Sequence, residues 1–108
     1  MILLVRNSRF KVTDESAALL ALQNAAALGK IECNAWELHN TTGLREGLLA
    51  CGWCTTTTGI AIIYFYETVL EPMRVIAPFV VDGSYVELLL DTGIVTYRFT
   101  DGKFEEKP

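Results

Sequence analysis

Apolar and polar positions alternate most clearly in the last third of the chain. In Ser84–Leu90, Val86, Leu88 and Leu90 alternate with Tyr85, Glu87 and Leu89. In Ile94–Thr100, Val95, Tyr97 and Phe99 alternate with Ile94, Thr96, Arg98 and Thr100. A period of two marks strands with one face on a core, so Val95, Tyr97 and Phe99 are expected to face inward. Asp91, Thr92 and Gly93 link these two runs. Asp101–Gly102, the strongest hairpin dipeptide in the chain, leads into a third run, Lys103–Glu106.

Upstream the pattern changes period. Asp14–Leu28 reads as a long N-terminal helix rich in alanine and leucine, the best helix formers. Thr13 or Asp14 can cap it, and Gly29 ends it. Leu19, Leu22 and Ala26 form its apolar face, which Ala18, Leu20 and Ala25 widen. Two shorter helices are expected. One is Gly43–Cys51, with Leu44, Leu48 and Leu49 as its stripe. The other lies within Glu67–Ala77, where Pro72 suits the first turn and Pro78 ends the run. Met1–Thr13 reads as one strand, with a turn or bulge at Arg6–Arg9. Ile31–His39 fits a short strand or an extended loop. Trp53–Thr56 and Ile60–Tyr66 read as a hairpin. Ile60–Tyr66 is apolar on both faces and is expected to be a central, doubly covered strand. The expected fold is therefore a single α+β domain over residues 1–108, with a mostly antiparallel sheet built on Ile60–Tyr66, Ser84–Leu90 and Ile94–Thr100.

Composition agrees with one folded domain: 108 residues, 51% of them hydrophobic, suit a single core. Charge adds something the pattern does not show. The net charge is −4, and residues 67–108 carry all of the excess. That distribution argues against a nucleic-acid partner, which calls for clustered Lys and Arg. It favours a protein partner held on an acidic sheet face, with Asp82, Glu87, Asp91 and Asp101 as its carriers. No apolar run reaches the length of a membrane span. Three cysteines without a signal peptide point to a reducing, cytoplasmic setting.

Chemistry-bearing residues are few. Cys51-Gly-Trp-Cys54 has the C-x-x-C spacing of a redox dithiol, but its first cysteine follows a predicted helix. A reactive thiol of that type usually opens a helix, where the dipole lowers its pKa. Cys33, His39, Cys51 and Cys54 could together supply a Cys₃His zinc set. No cofactor is expected, and no catalytic residue can be named. The aromatic residues Trp53, Tyr64, Tyr66, Tyr85 and Tyr97 are candidates for either core edge or binding surface.

Three stretches, Phe10–Leu22, Gly43–Trp53 and above all Ile76–Lys103 (IAPFVVDGSYVELLLDTGIVTYRFTDGK), resemble a group of small uncharacterised proteins from bacteria and their phages. Those proteins carry an A-P-F-V-x-D-G-S-Y-I-E stretch, a D-G turn, an aromatic strand and a second D-G-K. In this chain Asp91–Gly93 replaces the first D-G turn, and Tyr97 stands where Trp is common. The resemblance implies an α+β fold with a C-terminal antiparallel sheet and brings no assigned activity. The resulting expectation is a non-enzymatic, protein-binding accessory or inhibitor protein of a phage or mobile element, anti-CRISPR-like in manner. The alternatives are a zinc- or thiol-dependent protein using the three cysteines and His39, and a self-associating domain such as a homodimer.

Overall fold

Two antiparallel hairpins at the C-terminus anchor the sheet, and the N-terminal segment completes it. The computed structural model describes residues 1–107. Strand β4 (Tyr85–Leu90) pairs with β5 (Gly93–Thr100), which pairs with β6 (Lys103–Lys107). The first strand, β1 (Ile2–Arg9), lies antiparallel against the other side of β4, so the four-stranded order is β1-β4-β5-β6. Asp101 (φ 52°) and Gly102 (φ 74°) both take positive φ, as expected of a two-residue turn matched to the sheet twist. Val86, Leu88, Phe99 and Phe104 are buried and form the inner face, with Val95 and Tyr97 partly buried beside them.

β1 departs from a plain alternation. Its inward residues are Ile2, Val5 and Ser8, opposite Leu90, Leu88 and Val86. This spacing of three arises from two register shifts, between Ile2 and Leu4 and between Val5 and Asn7. Each shift sets an extra residue, Leu3 or Arg6, outside the pairing, as a β-bulge does.

Helix α1 (Glu15–Ala27) is capped by Asp14, whose side chain accepts from the Ala17 N–H at 3.0 Å. It ends in a Schellman arrangement. The N–H of Lys30 donates to Ala25 O at 2.9 Å, and that of Gly29 (φ 72°) to Ala26 O at 3.0 Å. Ala18, Leu19, Leu22 and Ala25 are its buried face, whereas Leu20 points to solvent. At 13 residues α1 has an ordinary length, and it follows a strand. The expected long N-terminal helix is thus corrected.

Two further expectations give way. Ile31–His39 is not a strand. Asn34 caps a short helix, α2 (Ala35–His39), by accepting from the Glu37 N–H at 3.1 Å. With α1, α3 (Leu44–Ala50) and α4 (Glu71–Ile76, continued by a 3-10 turn at Ala77–Phe79) this makes four α-helices among the described residues. Ile60–Tyr66 is likewise no central strand. Only β3 (Ile60–Ile62) pairs, with β2 (Trp53–Thr55), in a separate two-stranded sheet. Beyond it the chain is drawn aside: Gly52 O accepts from Ile63 N at 2.9 Å and from Tyr64 N at 3.3 Å. Ile63, Tyr64 and Phe65 are exposed.

The small hairpin is clamped to β1 by the Ser8 side chain, next to the bond from Phe10 N to Thr58 O at 3.1 Å. Ser8 Oγ donates to Ile60 O and accepts from Ile60 N, both at 2.9 Å. Trp53 is fully buried, and its indole N–H donates to Val69 O at 2.8 Å. Helix α1 packs against α3 and α4, and α4 reaches β6. All helices therefore lie on one side of the four-stranded sheet, around a core that includes Leu22, Leu48, Met73 and Ile76. Among the described residues no helix is long and apolar enough to cross a membrane.

Candidate functional site

The strand register that buries Val86, Leu88 and Phe99 turns the alternate positions outward, and no helix covers them. Reading across the strands, Leu4 stands opposite Leu89, and Leu89 opposite Ile94. Leu4 (45% exposed) and Ile94 (50% exposed) leave this row open to water. The next row is Asn7, Glu87, Thr96 and Lys107, and the one after it Arg9, Tyr85, Arg98 and Glu105. Lys103, opposite Thr100, closes the face.

The charge of this face is opposite to that of the chain. It carries Arg6, Arg9, Arg98, Lys103 and Lys107 against Glu87 and Glu105, and is net cationic in a chain of net −4. Glu87 is engaged: Arg6 Nη1 lies 2.6 Å from its Oε1. The Arg98 guanidinium sits over the Tyr85 ring, 5.9 Å from its centroid, within cation–π range. The Tyr85 hydroxyl accepts from the Asn7 amide at 3.3 Å. Beside Arg9 a shallow cleft of about 610 Å³ opens between Thr57–Thr58 and Val81–Ser84, with Lys11 and Asp82 on its rim.

The four carboxylates expected to form an acidic face do not gather on one surface. Asp82 and Asp101 meet at the turn end of the sheet, where Asp82 Oδ1 accepts from the Asp101 N–H at 3.1 Å. Glu87 lies mid-strand in its ion pair. Asp91 is at the far end of β4, 3.2 Å from the amino group of Met1. The six residues of β4 separate the two ends by about 20 Å. Each of the Asp side chains but one is thus held in a local turn or terminal contact, and Asp101 takes part through its backbone.

The cysteines also assort differently from their spacing. Cys51 is fully buried at the C-cap of α3, and its thiol interacts with that of the half-buried Cys33. Burial, reinforced by the neighbouring Cys33, pushes the Cys51 thiol up to about 12. Burial also raises Cys33, while its contact with Cys51 works against that rise. Cys54 lies in β2 opposite Ala61, its thiol 3.6 Å from Thr55 O. His39 is exposed at the end of α2. Among the described residues no three His, Cys, Asp or Glu side chains come together as a metal site, which removes the structural basis of the Cys₃His set.

The aromatic candidates divide in the same way. Trp53 is core, Tyr85 belongs to the open face, and Tyr97 stacks on Phe104 at 4.8 Å on the inner side. Tyr64 and Tyr66 pack together at 4.6 Å. The cations of the sheet face were missed in the sequence. Half of the signal was present, since the outward set of β5 already contained Arg98; the other half needed β1 beside β4. Compared with protein-family models, curated proteins and solved structures, the chain has no significant match.

Proposed function

We propose that the protein is a non-enzymatic binding module, and that it takes a protein partner with an acidic and apolar surface on the open face of the four-stranded sheet. The observation that carries this reading is the alignment of Leu4, Leu89 and Ile94 beside a cationic field on a sheet face that no helix covers. Apolar side chains give the central contact and the charges around them orient the encounter. The face is built on paired strands and not on loops, so binding costs it little ordering. A thiol pushed up to about 12 is almost wholly protonated at neutral pH, which speaks against Cys51 as the nucleophile of a rapid catalytic turnover there.

Edge-to-edge pairing with a second copy is less favoured. The two bulges of β1 and the lysines and glutamates of β6 are features that discourage strand addition. On the sequence resemblance alone, we place the module among phage or mobile-element accessory proteins, with inhibition of a host protein as the proposed role.

The test compares two charge-reversed proteins. Arg9→Glu with Arg98→Glu changes the sheet face, and Asp82→Lys with Asp101→Lys changes the turn end. Capture of the same partner from cells that make the protein should survive the second pair and be lost with the first, both variants remaining folded by circular dichroism. Equal capture by both would reject the sheet face as the binding surface.

A further inference from the structure

The N-cap of α2 is tied to the last turn of α3 by one backbone hydrogen bond. Asn34 N donates to Ala50 O at 2.8 Å. That bond brings Cys33, the residue before Asn34, alongside Cys51, the residue after Ala50. The two thiols are close enough for each to influence the other. Cys54, nearer to Cys51 in sequence, lies instead in β2 against Ala61 and Thr55 O.

We propose that Cys33 and Cys51 are a disulfide-forming pair, closed by hydrogen peroxide or by a small-molecule disulfide, with Cys33 as the attacking thiol and Cys51 as the resolving one. Exposure assigns the roles: Cys33 is half-buried and Cys51 sealed. With peroxide, the Cys33 thiolate attacks one oxygen, the O–O bond breaks, and the released hydroxide takes a proton to become water. Cys33 is left as a sulfenic acid. Cys51 then gives up its proton and attacks the Cys33 sulfur. The S–S bond forms, the S–O bond breaks, and the departing hydroxide takes that proton. Two thiols lose two electrons, and one peroxide becomes two waters. With oxidised glutathione, Cys33 displaces one glutathione thiol and Cys51 the second.

Around the pair, Tyr66 stands near both thiols and near Glu37, with Tyr64 against its ring. Burial holds both thiols protonated at neutral pH, so closure is slow there and quickens as pH rises. Once formed, the bond ties the loop before α2 to the C-cap of α3, and with it the exposed Trp36 (75%).

The full chain is treated with hydrogen peroxide or oxidised glutathione, alkylated, and examined by intact mass and non-reducing peptide mapping. Wild type and Cys54→Ser should each lose two hydrogens and yield a peptide joining Cys33 to Cys51, and Cys33→Ser should yield none. A Cys51–Cys54 link, a link between two chains, or Cys33 oxidised or glutathionylated with Cys51 still free would each overturn the proposal. Mapping of the wild type and Cys54→Ser decides the matter even where Cys33→Ser does not fold.

Discussion

Replacing Trp53 with Phe tests the joint on which the small hairpin and the Val69 turn both depend. Trp53 is fully buried, and its Nε1 donates to Val69 O at 2.8 Å. Phenylalanine keeps an aromatic ring there but has no donor. The Val69 carbonyl is then left without its partner in a buried site, which costs about 1–3 kcal/mol. The smaller ring also leaves a void. Scaled from the roughly 3–5 kcal/mol of a full truncation to Ala, that adds about 1–2 kcal/mol. The expected loss is therefore about 2–5 kcal/mol, a large share of the stability of a domain this size. Tm should fall by roughly 10–20 °C, with urea midpoints shifting at an unchanged m-value. The two tryptophans supply the readout: Trp53 is sealed and Trp36 exposed, so the variant should lose the blue-shifted emission and keep the red-shifted one. A loss below about 1 kcal/mol would show that neither the hydrogen bond nor the packing of Trp53 holds this joint.

Gly59→Ala should destabilise by about 2–3 kcal/mol, because a Cβ there strikes Ser8 Oγ and comes within 2.8 Å of Ser8 O, breaking the clamp on Ile60. Faster amide exchange at Ile60 and an earlier urea midpoint would report it, and wild-type stability would refute it. Alkali should unfold the protein through Cys51. Its folded pKa, about 12, lies above the ordinary thiol value of 9.0, so the native state holds a proton that the unfolded state releases. Stability is then full below about pH 9 and declines by about 1.4 kcal/mol per pH unit between there and about pH 12. Urea midpoints at about pH 8 and pH 10.5 should diverge in the wild type and much less in Cys51→Ala; equal divergence in both would assign the effect to other groups.

Much of the fold was legible because local and tertiary preferences agreed. Val95, Tyr97 and Phe99 turn inward as their alternation requires, Asp101–Gly102 makes its turn, and Asp14 and Gly29 bound α1 where capping chemistry puts them. Failures occurred where a backbone contact from elsewhere overruled a local pattern. Ile60–Tyr66 has the composition of a buried strand, yet the Gly52 carbonyl takes the N–H groups of Ile63 and Tyr64 and ends the pairing. Ile2–Arg9 could not be phased by a period of two, since two bulges space its inward residues by three. The C-x-x-C spacing drew attention to Cys54, whereas the partner of Cys51 is brought in by the chain reversal between residues 34 and 50.

Charge is the case in which a reading along the chain and a reading across the fold point in opposite directions. All the excess negative charge lies in residues 67–108, the stretch that supplies three of the four sheet strands. A sheet divides its residues between two faces and its turns, however, and the acids are spent unevenly. Glu67 and Glu71 lie before and in α4, outside the sheet. Asp82, Asp91 and Asp101 sit at strand ends, and Glu106 shares the inward phase of Phe104. Only Glu87 and Glu105 remain on the open face, and β1, from the net-neutral residues 1–66, adds Arg6 and Arg9 to it. Surface potential follows faces and not segments. An acidic surface that approaches the sheet therefore meets arginine and lysine first, and salt should weaken its binding even though this chain carries a net charge of −4.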